Sequence, residues 1–159
     1  MNTETVKINT LITNPLEIDT LVIKKWAGDN FRPVNKFYRS QKHKGSASGD
    51  EQIFVIYQGE DIVAAVRLVP HPNYFWLRGL YVKSELRGQR LGSLLLKQIH
   101  EHIALPIYCF PYEHLQGFYN RSGYQLLELQ QLPEAMRDLY KRYSRKGTAI
   151  INMGSNVSS

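Results

Sequence analysis

A basic, glycine-containing loop between a strand and a long helix is the segment of this sequence best suited to binding an anion. Residues 80–93 read LYVKSELRGQRLGS, with glycines at 88 and 92 and arginines at 87 and 90. The first backbone N–H groups of a helix have no acceptor within the helix, and the helix dipole is positive there. Glycine also lets a phosphate approach the backbone, because no Cβ intervenes. The segment predicts a phosphate site; the alternative is an ordinary strand-to-helix turn with a solvated arginine.

Two common phosphate motifs do not describe this segment. A Walker loop ends in Gly-Lys-Ser or Gly-Lys-Thr, and no such ending follows Gly88. A Rossmann fingerprint requires a different glycine spacing and a later acidic residue for the ribose, and neither fits here. A phosphate loop of another type is therefore expected.

Residues 87–92 resemble the cofactor motif of the GNAT superfamily, a family of acetyl-CoA-dependent N-acetyltransferases. The motif, Gln/Arg-x-x-Gly-x-Gly/Ala, lies between the family's fourth strand and the following helix. Arg87 and Gly92 match its first and last positions, whereas Arg90 replaces the middle glycine. Residues 117–124, GFYNRSGY, are similar to the family's aromatic-Tyr-x-x-x-Gly-aromatic segment. The resemblance covers about residues 53–153, and residues 1–50 carry no diagnostic motif.

This resemblance implies a set of site residues. Backbone groups of Leu80, Tyr81 and Val82 would pair with the pantetheine arm of acetyl-CoA as if it were an added strand. Tyr119 would be the general acid that protonates the departing thiolate. A core-packing role is its alternative, but neighbouring Phe118 already supplies an apolar contact, about 100° away around the helix. The pyrophosphate would be held by backbone N–H groups of a cofactor loop, defined here as Arg87, Gly88, Gln89, Arg90, Leu91, Gly92 and Ser93.

The sequence departs from the family pattern in two further places. Tyr112 stands where many members have an asparagine that contacts the cofactor. Residues 74–79, YFWLRG, contain no carboxylate, although many members place a glutamate on this strand as general base. Glu113 or His114 could relay a proton through water, but a helix cap and a surface position suit them better. The general base is left unassigned.

Other chemically active side chains favour structural roles. His100 and His102 are two positions apart and face different sides of a helix, so solvated side chains rather than a metal site are expected. Cys109 lies in an apolar run and is expected to be a small buried side chain rather than a nucleophile. Strand alternation puts Trp76 and Arg78 on one face and Tyr81 on the other, but it does not say which face meets the acceptor.

Composition narrows the class of protein. The 159 residues are 43% hydrophobic and 21% charged, which fits a globular domain with a core. One cysteine excludes an internal disulfide, and no apolar run is long enough to cross a membrane. The N-terminus shows no secretory signal, so a cytoplasmic domain is expected. The net charge of +6 suits either a polyanionic ligand or a solvated basic face, and the phosphates of CoA would account for it without any nucleic acid.

The elements that must position this site predict an α+β fold. Three hairpin-linked strands precede a strand–helix–strand–helix–strand arrangement. The resemblance implies the GNAT fold, a mixed and mostly antiparallel sheet with helices on both faces, splayed between the fourth and fifth strands. A single N-acetyltransferase domain is expected over residues 1–159, with residues 154–159 as a disordered tail.

Local patterns set the expected bounds of these elements. Asn14-Pro15 predicts a helix that carries Ile18, Leu21, Val22 and Trp26 on one stripe and ends at Gly28. Strands are expected over residues 6–10, 53–57, 62–69, 74–82, 107–110, 124–129 and 148–153, and helices over residues 33–40, 91–105, 113–122 and 133–145.

The leading functional hypothesis is transfer of an acetyl group from acetyl-CoA to a primary amine of a small molecule or peptide, with no metal. A second hypothesis keeps CoA binding without catalysis, as a regulatory module. A third places the amine on RNA, such as a charged tRNA, because residues 24–44 and 137–146 are basic. No aromatic-basic signature for RNA accompanies them. The oligomeric state stays open, with a homodimer among the alternatives.

Overall fold

The structure, a computed structural model, describes residues 5–8, 21–147 and 149–157, of which residues 5–8 are described by their backbone alone. The described residues form two compact units: those within 1–70 and 78–103 make up unit 1, and those within 71–77 and 104–159 make up unit 2. Whether the chain is one functional domain stays a prediction.

Unit 1 contains a sheet with the strand order β1-β2-β3-β4-β5. The pairs β1–β2, β2–β3 and β3–β4 are antiparallel. The apolar residues of β3 and β4 are buried, and helix α2 buries Leu91, Leu95, Leu96 and Ile99. The elements of this unit are β1 (Thr5–Ile8), β2 (Leu21–Lys25), α1 (Arg32–Ser40), β3 (Gln52–Gln58), β4 (Asp61–Pro70), β5 (Phe75–Val82, shared with unit 2) and α2 (Leu91–His102).

The helix predicted from Asn14 to Gly28 is wrong over its second half. Residues 21–25 form strand β2, which pairs with β1 on one side and β3 on the other. Leu21 and Ile23 are buried while Val22 is half-buried, a period of two that suits a sheet. Pairing with β1 and β3 stabilises a strand here, although the same apolar residues could also form the apolar stripe of a helix. Residues 14–20 lie outside the described residues.

Unit 2 is built around the short strand β6. The first residues of β5 pair with β6 in parallel, and β8 pairs antiparallel with both β6 and β7. The elements are β6 (Ile107–Cys109), α3 (Gln116–Arg121), β7 (Gln125–Leu126), α4 (Glu134–Ser144) and β8 (Met153–Ser155). The mixed, mostly antiparallel pairing confirms the predicted α+β class.

The last strand begins five residues later than predicted. Strand β8 spans Met153–Ser155, where the sequence predicted a strand over residues 148–153 and then a disordered tail from Gly154. Gly154 is buried, and a Cβ on it would lie 2.8 Å from side-chain atoms of Leu127 and Val157. Gly-Ser is typical of a flexible tail, but here the small residues fit the narrow space between two strands. Thr148 and residues 158–159 lie outside the described residues.

Candidate functional site

The backbone of Leu80, Tyr81 and Val82 lies on the edge strand of the unit 1 sheet. Strand β5 is last in that sheet, next to β4. Its register with β6 consists of Phe75↔Ile107 and Trp76↔Tyr108 only, so no residue after 76 pairs with β6 in the described chain. An edge strand offers N–H and C=O groups to an extended ligand. The three predicted residues are therefore suitably placed to pair with a linear amide chain.

The cofactor loop follows this strand directly. A 3₁₀ turn (Ser84–Leu86) leads into it, and helix α2 begins at Leu91. The N–H of Leu94 donates to the carbonyl of Arg90 at 3.0 Å. The N–H groups of Leu91, Gly92 and Ser93 therefore precede the first intrahelical hydrogen bond. No acidic residue lies in this first turn, so no carboxylate of the turn would repel an anion bound there.

Two residues of the cofactor loop have left-handed backbone conformations. Gly88 has φ +82° and Arg90 has φ +66°. Arg90 stands where the family motif has its middle glycine, and the positive φ explains why glycine suits that position. Arg87 reaches back to the strand, its Nε donating to the carbonyl of Val82 at 3.1 Å. That carbonyl has a second lone pair and can still accept from a ligand.

Strand β5 is irregular at Gly79, where φ is +60°. A left-handed residue interrupts the alternation on which the predicted facing of Arg78 and Tyr81 depends. Tyr81 packs on the His43 ring, with centroids 4.5 Å apart. The positive charge of Arg78 is one of the causes that lower the pKa of His43, after burial and Arg67.

Tyr119, the predicted general acid, lies on α3 in unit 2. Only 5% of the residue is exposed, and its ring makes edge-to-face contacts with Phe118 at 5.0 Å and Tyr124 at 5.5 Å. Burial raises the pKa of Tyr119 well above its usual value, and nearby Cys109 and Tyr124 raise it further. The hydroxyl therefore keeps its proton at neutral pH, where that proton is available for donation. Its catalytic role stays a prediction.

The structure confirms the expectation of a small buried side chain at Cys109. Cys109 is buried on β6, and burial raises the pKa of its thiol, which disfavours a reactive thiolate. Tyr112 is 52% exposed, and its ring stacks on His114 at 6.0 Å.

His100 and His102 lie near the end of α2 and are only partly exposed, with the His102 ring 5.5 Å from that of Phe54, so the expectation of solvated side chains is wrong for both. Among the described residues, no three His, Cys, Asp or Glu side chains are grouped as a metal site, and no described helix is long and apolar enough for a membrane span.

Sequence reasoning missed a buried polar network in unit 1. Arg67 lies on β4 and is 2% exposed, with Nη1 3.0 Å from Glu51 Oε2. Tyr38 on α1 is fully buried, and its hydroxyl donates to the carbonyl of Gly79 at 2.7 Å. A charged residue inside the apolar run VAAVRLV was the available signal, because a buried charge requires a partner. The partners themselves are distant in sequence.

Comparison with known proteins identifies a conserved domain type in the middle of the chain. Residues 49–126 match the model of an acetyltransferase (GNAT) domain. This range includes strands β3 to β5, the whole cofactor loop and Tyr119. A search of the curated proteins finds no match.

Solved structures of low sequence identity share the fold. A GNAT-family acetyltransferase of Staphylococcus aureus Mu50 is 15% identical with a TM-score of 0.63, covering 87% of this chain and 99% of that one. The ribosomal-protein-S18-alanine N-acetyltransferase of Escherichia coli is 13% identical with a TM-score of 0.63, covering 87% and 95%. The N-acetylglutamate synthase of Neisseria gonorrhoeae, in complex with coenzyme A and N-acetyl-glutamate, is 14% identical with a TM-score of 0.61, covering 87% of this chain. This chain spans 35% of that synthase.

Proposed function

This chain is a member of the GNAT superfamily of acetyltransferases, and from that premise we propose that it transfers an acetyl group from acetyl-CoA to a primary amine. One arrangement in unit 1 carries the proposal: an edge strand that runs directly into a loop with unpaired N–H groups. The strand suits the amides of a pantetheine arm, and the loop suits a pyrophosphate. CoA contains both groups in that order.

Backbone groups make most of the proposed contacts with the co-substrate. The N–H groups of Leu91, Gly92 and Ser93 donate to phosphate oxygens at the positive end of α2. Exposed arginines at 87 and 90 add positive charge beside them. Strand residues 80–82 orient the pantetheine arm. Bound acetyl-CoA supplies an activated thioester carbonyl.

In the proposed reaction the neutral amine attacks the thioester carbonyl carbon. A carbon–nitrogen bond forms, the carbon–sulfur bond breaks, and the amine loses a proton. Tyr119 gives its proton to the departing sulfur, which completes the free thiol of CoA, and the proton released by the amine passes through solvent to restore the tyrosine hydroxyl. No covalent enzyme intermediate is needed, and Cys109 is fully buried with a raised thiol pKa, which makes it unsuited to forming one.

The solved relatives bear on the chemical class of the acceptor. The solved relatives named above concern N-acetyl-glutamate in one case and a ribosomal-protein alanine in another. Their shared chemistry is a primary amine on an amino acid or protein. We propose a small-molecule or peptide amine as the acceptor of this chain.

Calorimetry with CoA and a Gly92→Asp variant tests the cofactor site. The aspartate adds bulk and a like charge beside the phosphates, so CoA binding should be lost. Gly59→Asp is the matched control, because it makes the same chemical change at an exposed turn where a Cβ would have no neighbour within 4 Å. Unchanged affinity in a folded Gly92→Asp protein would overturn the assignment of the loop.

A panel of amine acceptors, with release of free thiol as the readout, tests the reaction itself. Turnover with a small amine or peptide supports the proposal. CoA binding without turnover on any amine would favour a regulatory CoA-binding module instead. Total tRNA is the third ligand to test. Binding that weakens as the salt concentration is raised, together with displacement of a bound acceptor by the tRNA, would favour an RNA-borne amine.

A further inference from the structure

Buried polar side chains lie between the interior of unit 1 and strand β5. Glu51 holds the Arg67 guanidinium, with 3.0 Å between Oε2 and Nη1. The same Nη1 donates to the carbonyl of Ser46 at 2.7 Å. The guanidinium lies over the Tyr38 ring, 5.7 Å from its centroid, and the Tyr38 hydroxyl donates to the carbonyl of Gly79 at 2.7 Å.

Donor chemistry fixes the direction of the hydrogen bond between Tyr38 and Gly79. A carbonyl oxygen accepts hydrogen bonds and has no proton to give. The single proton of the Tyr38 hydroxyl is therefore the one donated to the Gly79 carbonyl. Burial raises the pKa of Tyr38, so the hydroxyl keeps this proton at any physiological pH.

Gly79 is closely enclosed by the same two side chains. A Cβ at this position would lie 3.0 Å from Arg67 Nε and 3.0 Å from the Tyr38 oxygen. The backbone there has φ +60°, a conformation that breaks the regular course of a strand. The network therefore holds a strand irregularity in one conformation, immediately before residues 80–82.

Apolar packing alone does not explain a tyrosine at position 38. The ring belongs to a buried cluster with Val34, Phe37 and Val55, where phenylalanine would provide the same apolar contacts. A buried hydroxyl is unfavourable unless it is hydrogen-bonded. The hydroxyl is thus explained by its partner, the Gly79 carbonyl.

We propose that Tyr38 is a positioning residue for the acyl donor: its hydroxyl holds the Gly79 carbonyl and thereby sets the direction of the N–H and C=O groups of residues 80–82. This inference rests on the proposed binding of CoA along β5. It concerns the pantetheine part of that binding and not the phosphates, which the cofactor loop contacts.

Calorimetry on Tyr38→Phe separates these two parts. CoA should bind about 3- to 10-fold more weakly, the range of one lost hydrogen bond. Adenosine 3′-phosphate 5′-diphosphate, the part of CoA without the pantetheine arm, should bind as tightly as to the wild type. Tyr57→Phe is the matched control, since Tyr57 packs against the same apolar cluster from β3 and should change neither affinity.

The outcomes distinguish this inference from the proposed function. A wild-type chain that binds neither ligand would overturn both. Wild-type binding with equal CoA affinity in Tyr38→Phe would overturn only the positioning role. Equal weakening of both ligands, together with a lower unfolding temperature, would assign Tyr38 to general stability instead. A drop in CoA affinity alone, measured well below the unfolding temperature, supports the inference.

Discussion

The hydroxyl of Tyr119 lies in a largely apolar environment, so at neutral pH it can donate a hydrogen bond but does not ionise. A thiol has a pKa of about 8.5, which makes the thiolate of CoA a fair leaving group even without help. Donation from Tyr119 should therefore accelerate thiol departure without being indispensable.

Tyr119→Phe keeps the ring and its contacts with Phe118 and Tyr124. We expect kcat to fall by roughly 10²-fold or more, within the range of general acid catalysis, while the Kd of acetyl-CoA changes little. Steady-state kinetics with an identified amine, and calorimetry, give the two values. Tyr112→Phe serves as control because that side chain is 52% exposed; wild-type turnover in Tyr119→Phe would assign Tyr119 to packing.

His43 makes stability depend on pH. Burial, and then the positive charges of Arg67 and Arg78, lower the pKa of this ring. The unfolded chain therefore binds the proton more tightly than the folded one, and the free energy of unfolding should fall as pH drops below about 6.5. His71 and His100 shift in the same direction, so the contribution of His43 must be measured by difference.

We expect His43→Gln to lose less stability than the wild type between about pH 7.5 and about pH 5.5, because one proton-linked group has been removed. Urea unfolding at the two pH values measures this. His114→Gln is the control, since that side chain is exposed on the surface of unit 2. Identical pH dependence in wild type and His43→Gln would contradict the expectation.

At the scale of elements, the junction between β5 and α2 combines a strained residue with a charged one. Arg90 has a left-handed backbone, which for a residue other than glycine costs roughly 1–2 kcal/mol. Lys42, after α1, has a similar φ of +59° but lies away from the cofactor loop in sequence. Substitutions at Arg90 and Lys42 therefore allow the effect of backbone strain on stability to be measured separately from the effect of ligand contact on affinity.

Arg90→Gly and Lys42→Gly should both raise the free energy of unfolding slightly or leave it unchanged, because glycine adopts a positive φ without strain. Only Arg90→Gly should weaken CoA binding, by roughly 10-fold or more, as expected for a lost charge-assisted contact. Chemical denaturation and calorimetry measure the two effects. Undiminished CoA affinity in Arg90→Gly would show that the arginine is merely tolerated.

Local patterns predicted the elements around the site well. Alternation and turn residues indicated β3, β4 and β5, and the four-residue period of Leu91, Leu95 and Ile99 indicated α2. The motif in residues 87–92 could be recognised from the sequence because its residues are contiguous. Strand β2 was not, since an apolar run of this length satisfies helix and strand periods equally and its two neighbours decide the outcome.

At the scale of the whole molecule, sequence separation limits what can be predicted. Arg67 and Glu51 are 16 residues apart, and Tyr38 and Gly79 are 41 apart, so no local pattern reveals their pairing. The excess of positive charge, by contrast, is a property of the composition and can be counted directly from the sequence. Its value of +6 bears on how CoA reaches its site.

We expect CoA affinity to fall steadily with salt, because several phosphate charges meet a positively charged protein and salt screens them. CoA lacking its 3′-phosphate should show a weaker salt dependence. Calorimetry at three salt concentrations measures both slopes, with unfolding temperature as the check that the fold is unaffected. A CoA affinity independent of salt would place the binding energy in apolar contacts instead.

Strand β8 has a consequence for biosynthesis. It follows all other described elements along the chain, yet it lies between β6 and β7 in the sheet. The ribosome synthesises β6 and β7 first. In the sheet each of them pairs with β8 and not with the other, so neither has this partner until Met153–Ser155 has been synthesised. A nascent chain halted before Met153 would present two uncovered strand edges, which are sites of aggregation. Translation that stops before Met153 should therefore yield a proteolysed or insoluble product rather than a shortened, folded one.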